Sequence, residues 1–116
     1  MVQDTKLKML SKKQLLRKKF KEQVFNRDNN KCKICKAPAV DAHHITDRNL
    51  MKNGGYTLSN GIALCSECHI NAEAFHQNKK VKSGFYPSDL YKLINSSYIE
   101  ALKDDVANPL FGIFYK

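Results

Sequence analysis

Cys32-Lys33-Ile34-Cys35, Asp41-Ala42-His43-His44-Ile45 and Cys65-Ser66-Glu67-Cys68-His69, with Glu73 four residues beyond the last histidine, form the stretch that decides how this chain is read. Each Cys-x-x-Cys pair places two thiolates on one tight turn. Two such turns brought together close a tetrahedral four-sulfur cage of the kind zinc takes, with Cys32, Cys35, Cys65 and Cys68 as ligands. Redox pairs or buried free thiols are the competing readings. A closed cage keeps no open position, so it is expected to be structural. It would tie the turn before one strand to the start of the helix after the next.

Working outward, Ala39 to Ile45 alternates well enough for a strand after Pro38. Thr46 to Ser59 reads as a loop with a turn at Asn53-Gly54-Gly55. Gly61 to Leu64 reads as a short returning strand, and Ser66 is placed to cap a helix from Glu67 to about Gln77. Upstream, Ser11 is placed to cap a helix over about 11–28, with Leu16, Phe20 and Val24 on one face, widened by Leu15 and Phe25. The other faces carry Lys12, Lys13, Arg17, Lys18, Lys19, Lys21 and Arg27. Downstream, over about 87–108, Ser88 is placed to cap a segment holding Leu90, Leu93 and Ile94. A second segment holds Tyr98, Ile99, Leu102 and Val106, with Pro109 as its stop. Met1 to Lys6 is expected to fray, and the apolar tail Leu110 to Tyr115 to pack on the body. One domain over 1–116, with its core at 32–78, is the expected organisation.

If the cage pins both ends of the strand pair, His43 and His44 face His69 and Glu73. The last two are i and i+4 on a helix and share a face, as metal-ligand pairs do. Adjacent strand residues point to opposite sides, so one histidine can ligate an ion while the other faces a substrate. That division suits phosphodiester hydrolysis, in which a metal stabilises phosphate charge and a neutral imidazole takes a proton from water. A lone histidine is more often structural; four such residues in this order are what point to a site.

Asp41-Ala42-His43-His44-Ile45, Ser59-Asn60-Gly61-Ile62 and Cys65-x-x-Cys68-His69-x-x-x-Glu73 together resemble the HNH endonuclease family, specifically its small phage and mobile-element type with four zinc cysteines. The resemblance implies an α+β fold, a ββα-metal finger stapled by a four-cysteine zinc site. It also implies DNA cleavage with one catalytic divalent ion. Position by position, His44 matches the general base and His43 a metal ligand. Asn60 matches the residue that holds the base-bearing loop or helps coordinate the metal, and His69 matches the last histidine. Many members have a second histidine where this chain has Glu73. A carboxylate there would favour Mg²⁺ or Mn²⁺, with Zn²⁺ or Ni²⁺ as alternatives. His76 is read as helix surface or a phosphate contact, with ligation as the alternative.

The chain has 116 residues, 42% of them apolar, and 20 Lys+Arg against 11 Asp+Glu, a net charge of +9 that points to a polyanionic partner. Candidate phosphate contacts are Arg48 and the helical Lys12, Lys13, Arg17, Lys18 and Lys21. DNA is the expected partner, with RNA as the alternative substrate. A noncatalytic zinc-stabilised binding module is the competing function, and a larger phage or mobile-element complex is suggested by family analogy. Tyr56 is read as packing the loop, and Phe75 as core alongside Phe20 and Val24. No stretch approaches the roughly 20 apolar residues of a membrane span, and Leu7 to Leu10 is too short for a signal-peptide core. A cytoplasmic protein is expected, and a reducing compartment favours zinc over disulfides.

Overall fold

The computed structural model describes residues 11–107. The expectations for the first residues, for Pro109 and for the apolar tail Leu110 to Tyr115 lie outside them. Among the described residues four helices and one strand pair follow in the order α1 (Lys12–Arg27), β1 (Asp41–His44), β2 (Gly61–Leu64), α2 (Ser66–His76), α3 (Pro87–Leu93) and α4 (Tyr98–Val106), with short 3-10 turns at Arg48–Leu50 and Leu58–Asn60. This is the α+β, ββα arrangement that the motifs imply. Among the described residues no helix is long and apolar enough to cross a membrane.

The strands are antiparallel, with Asp41 opposite Leu64, Ala42 opposite Ala63, His43 opposite Ile62 and His44 opposite Gly61. Because side chains alternate, the pairs Ala42/Ala63 and His44/Gly61 face one way and Asp41/Leu64 and His43/Ile62 the other. Apart from His44 the first face is built from small residues, and this is where α1 lies. Leu16, Phe20 and Val24 are buried there with Tyr56 and Ala63. Gly61 has to be glycine, since a Cβ would sit 2.6 Å from Val24 Cγ2 and 2.7 Å from Phe20 Cζ. The opposite face packs Ile45, Ile62 and Leu64 with Cys68 and Ala72 of α2, Leu90 and Tyr91 of α3 and Ala101 of α4.

α1 starts as its sequence dictates: Ser11 Oγ accepts from Gln14 N, and the Gln14 side chain accepts from Ser11 N, a capping box. It ends at Asp28, after which Asn29 and Asn30 both adopt φ of 58°, a left-handed conformation that asparagine tolerates. Arg27 does not face outward with the other basic residues. It donates to Asp28, to Leu58 O at 2.7 Å and to Gly61 O at 2.6 Å. Buried Asp28 in turn accepts from Ala63 N at 3.0 Å, so the pair clamps the end of α1 to β2.

Several local expectations are corrected. Cys65, not Ser66, caps α2, its sulfur accepting from Cys68 N. Tyr86, not Ser88, is the cap of α3, because Pro87 takes the first helical position, where its missing N–H costs nothing. In α4 the buried face is Ala101 and Asp105, while Tyr98, Ile99 and Val106 are exposed. Asp105 wins that face because its carboxylate accepts from Asn53 N and Gly55 N, both at 2.8 Å, pinning the Asn53-Gly54-Gly55 turn. Leu93 and Phe75 are also exposed rather than core. The Phe75 ring meets that of Tyr86 edge-on, with centroids 6.5 Å apart.

Candidate metal centres and cleft

Cys32, Cys35, Cys65 and Cys68 converge so that their sulfurs all lie within 4.8 Å of one another. Cys35 and Cys65 are 3.5 Å apart, close to the roughly 3.8 Å edge of a tetrahedron with 2.3 Å Zn–S bonds. Burial pushes the Cys32 thiol up, but backbone N–H groups of Cys35, Cys65 and Ile34 aimed at its sulfur bring it down to about 6. Burial, hydrogen bonds from Cys65 and Cys32 and the nearby Cys32 charge push Cys68 far the other way. Four thiolates this close cannot all ionise unaided, and a cation is what would let them. The donor set fits a zinc ion.

A second set forms where β1 meets α2. One ligand atom from each of His43, His69 and Glu73 lies within the same 4.8 Å limit. His43 Nδ1 is 3.7 Å from Glu73 Oε2, and His69 Nε2 is 3.9 Å from Glu73 Oε1. Glu73 Oε2 is buried with no hydrogen-bond partner, an orphaned acceptor beside two imidazoles. That also fits a cation. Asp41 Oδ2 stands 3.7 Å from His69 Nδ1, on the far side of that ring, where a carboxylate orients a ligating imidazole. Sequence alone places Asp41 in the motif without assigning it a role.

His44 points to the other side of β1. Its ring stacks on Phe20, with centroids 4.4 Å apart, and meets Tyr56 edge-on at 4.9 Å. Tyr56 is therefore packed in the loop, as expected, and is 3% exposed. His44 Nε2 is buried without a partner. Burial above all, then the charges of Arg48 and His76, holds the His44 imidazole down to about 3. Burial and the neighbouring His76, His69 and His44 hold His43 down to about 2. Both rings are neutral at ordinary pH, the state that a ligand or a base requires.

His44, His69, Glu73 and His76 line one cleft of about 470 Å³ together with Arg17, Lys21, Asp47, Arg48 and Tyr56. Arg48 Nη1 donates to Tyr56 Oη at 3.3 Å. Of the candidate phosphate contacts, Arg48, Arg17 and Lys21 thus reach the cleft. Lys18 borders a neighbouring groove with Lys21, Lys13 borders a third, and Lys12 is exposed on α1. Asn60 is 0% exposed, its side chain wholly engaged with the loop: Oδ1 accepts from Thr46 N and Tyr91 Oη, and Nδ2 donates to Thr46 O and Gly55 O. Of the two roles the resemblance implies for it, holding the loop is the one these bonds fit.

His76 is neither helix surface nor solvated. Its side chain is 11% exposed and its ring stacks on His43 with centroids 5.1 Å apart. Nothing in its position seven residues after His69 on a helix distinguishes such a residue from a surface one, because its partners come from β1.

The family model of the HNH endonuclease matches residues 32–75, from the first cage cysteine through the helix bearing His69 and Glu73. No curated protein and no solved structure matches the chain.

Proposed function

With residues 32–75 matching the HNH endonuclease family, we propose that the protein is a metal-dependent endonuclease that hydrolyses DNA phosphodiester bonds. The observation that carries this reading is the position of His44. His44 lines the same cleft as Arg17, Arg48, His69 and Glu73, and its neutral Nε2, just under that surface, is left without a hydrogen-bond partner.

In this reading the cleft receives one backbone phosphate, held by Arg48 with Arg17 and Lys21. His44 Nε2 takes a proton from water as the water oxygen bonds to phosphorus. The bond from phosphorus to the 3′ oxygen breaks and that oxygen takes a proton from solvent water, leaving 5′-phosphate and 3′-hydroxyl ends. His43, His69 and Glu73 would hold a divalent cation, with Mg²⁺ or Mn²⁺ favoured by the carboxylate. Once bound, it would stabilise charge on the phosphate and the departing oxygen. The phosphate also serves the base: burial is the main cause of the imidazole's low proton affinity and Arg48 the next, and a bound phosphate's negative charge would offset the Arg48 part. Asn60 keeps the base-bearing segment in place. The zinc cage joins the turn before β1 to the first turn of α2, so the histidines on those elements stay opposed.

A noncatalytic zinc-stabilised binding module would need the basic helix and the cage but not an orphaned imidazole and carboxylate in one cleft. Incubation of supercoiled plasmid with purified protein in Mg²⁺, Mn²⁺ or EDTA, beside His44→Ala, separates the two. Metal-dependent nicking or linearisation that the variant lacks supports the nuclease. Binding without cutting by either protein supports the module. Cutting of RNA in preference to the plasmid would move the substrate without moving the chemistry.

A further inference from the structure

We propose that His76 is a positioning residue for the base, acting through the backbone of His44 rather than on substrate or metal. This rests on the nuclease reading for its catalytic consequence, but its structural content stands by itself. His76 Nε2 lies 2.9 Å from the carbonyl oxygen of His44. A carbonyl can only accept, so Nε2 carries the proton and the bond fixes the His76 tautomer. That atom also stands 3.9 Å from Glu73 Oε2, but its proton is committed to the carbonyl, and the donor set of His43, His69 and Glu73 does not include it.

Sheet register explains why the carbonyl needs this partner. Ile45 N donates to Asn60 O at 2.9 Å, so position 45 turns its hydrogen bonds towards β2. Position 44 turns its own away from β2, towards the edge of β1 that pairs with no other strand among the described residues. A carbonyl at such an edge has no ladder partner among the described residues. His76, on the last turn of α2, supplies one from above, while its ring lies nearly parallel to His43, 18° between planes. The residue bearing the base is thus held on one side by Phe20 and Tyr56 against its ring and on the other by α2 through its backbone.

Two substitutions divide the possibilities. His76→Gln keeps an N–H at about the same reach and removes the imidazole, whereas His76→Phe keeps a ring against His43 and removes the donor. Positioning through the bond predicts that Gln retains kcat within a few-fold. Phe should lose about a hundredfold in kcat, as small misplacements of a reacting group do, with KM for DNA and zinc content unchanged. Loss in both variants would make His76 a ligand or proton carrier, and retention in both would make it packing; either result overturns the proposal. A readout independent of cutting is the carbonyl carbon shift of His44, measured in the selectively labelled chain. It should move in Phe and stay near wild type in Gln. If the wild type does not cut at all, the nuclease reading fails while this shift still decides whether the bond exists; an unmoved shift in Phe refutes the bond itself.

Discussion

Asn60 and Thr46 clasp each other through two hydrogen bonds: Thr46 N donates to Asn60 Oδ1 at 2.9 Å, and Asn60 Nδ2 donates to Thr46 O at 3.1 Å. The segment leaving β1 and the segment entering β2 are joined two residues beyond His44. Tyr91 Oη, which donates to Asn60 Oδ1 at 2.8 Å and lies 2.6 Å from Thr46 Oγ1, carries the clasp into α3.

Removing the clasp should therefore cost stability as well as activity. Asn60→Ala orphans a buried N–H and two buried carbonyls and leaves the Tyr91 phenol with Thr46 Oγ1 alone, and about 3 kcal/mol or more of destabilisation is expected. Urea titration measures it. A loss under about 1 kcal/mol would mean that water replaces the amide. Gly55→Ala should act on the same point, since its Cβ would fall 2.5 Å from Asn60 Nδ2 at a φ of +70°.

Acid should weaken the fold through the buried histidines. His44 is depressed to about 3 and His43 to about 2, whereas in the unfolded chain both titrate near about 6.5. Below that value the unfolded state binds protons that the folded state refuses. The stability these rings contribute is thus fully present above about pH 6.5 and declines as pH falls. His44→Gln removes one such proton. Between about pH 6 and about pH 5 its stability should fall less steeply than that of wild type, by up to about 1.4 kcal/mol per pH unit. Parallel slopes would show that His44 titrates freely in the folded protein.

The cage should be required for folding. Four sulfurs within 4.8 Å, two of them on the buried residues Cys32 and Cys68, join two turns that are distant in sequence, and zinc binding of this kind is folding free energy. Cys32→Ser, or a chelator that competes for zinc, should abolish the cooperative unfolding transition seen by circular dichroism. A metal-free chain with an intact transition would make the cysteines ordinary core residues.

Arg17 and Arg48 should be visible in salt dependence. Each one that contacts phosphate contributes about one unit to the slope of log affinity against log salt. Arg48→Ala and Arg17→Ala, both on the cleft wall, should each flatten that slope by about one. An unchanged slope in either variant would place the nucleic acid elsewhere on the basic surface.

Much of this molecule is carried by spacing alone. The apolar stripe Leu16, Phe20 and Val24 determined that α1 docks, and the small residues Ala42, Gly61 and Ala63 let it dock closely. The two Cys-x-x-Cys turns implied the cage, the i, i+4 pair His69 and Glu73 implied a shared face, and the adjacency of His43 and His44 sent them to opposite sides of one strand. The shared faces are short-range consequences of helix and strand periods, and the cage, though it joins turns about thirty residues apart, is announced by the paired spacing of its cysteines. The inward turn of Arg27 onto Leu58 and Gly61, the burial of Asp105 under the Asn53 turn and the bond from His76 to the His44 carbonyl are different in kind. Each joins residues about thirty to fifty positions apart, and each is a charged or polar side chain whose local pattern suggests solvent. Only packing reveals the unpaired backbone groups that such side chains must satisfy. The sequence determined which residues are candidates for a metal and a phosphate; the tertiary structure decided which of them share a cleft and which polar groups hold them still, because a buried hydrogen-bonding demand exists only once the chain has closed around it.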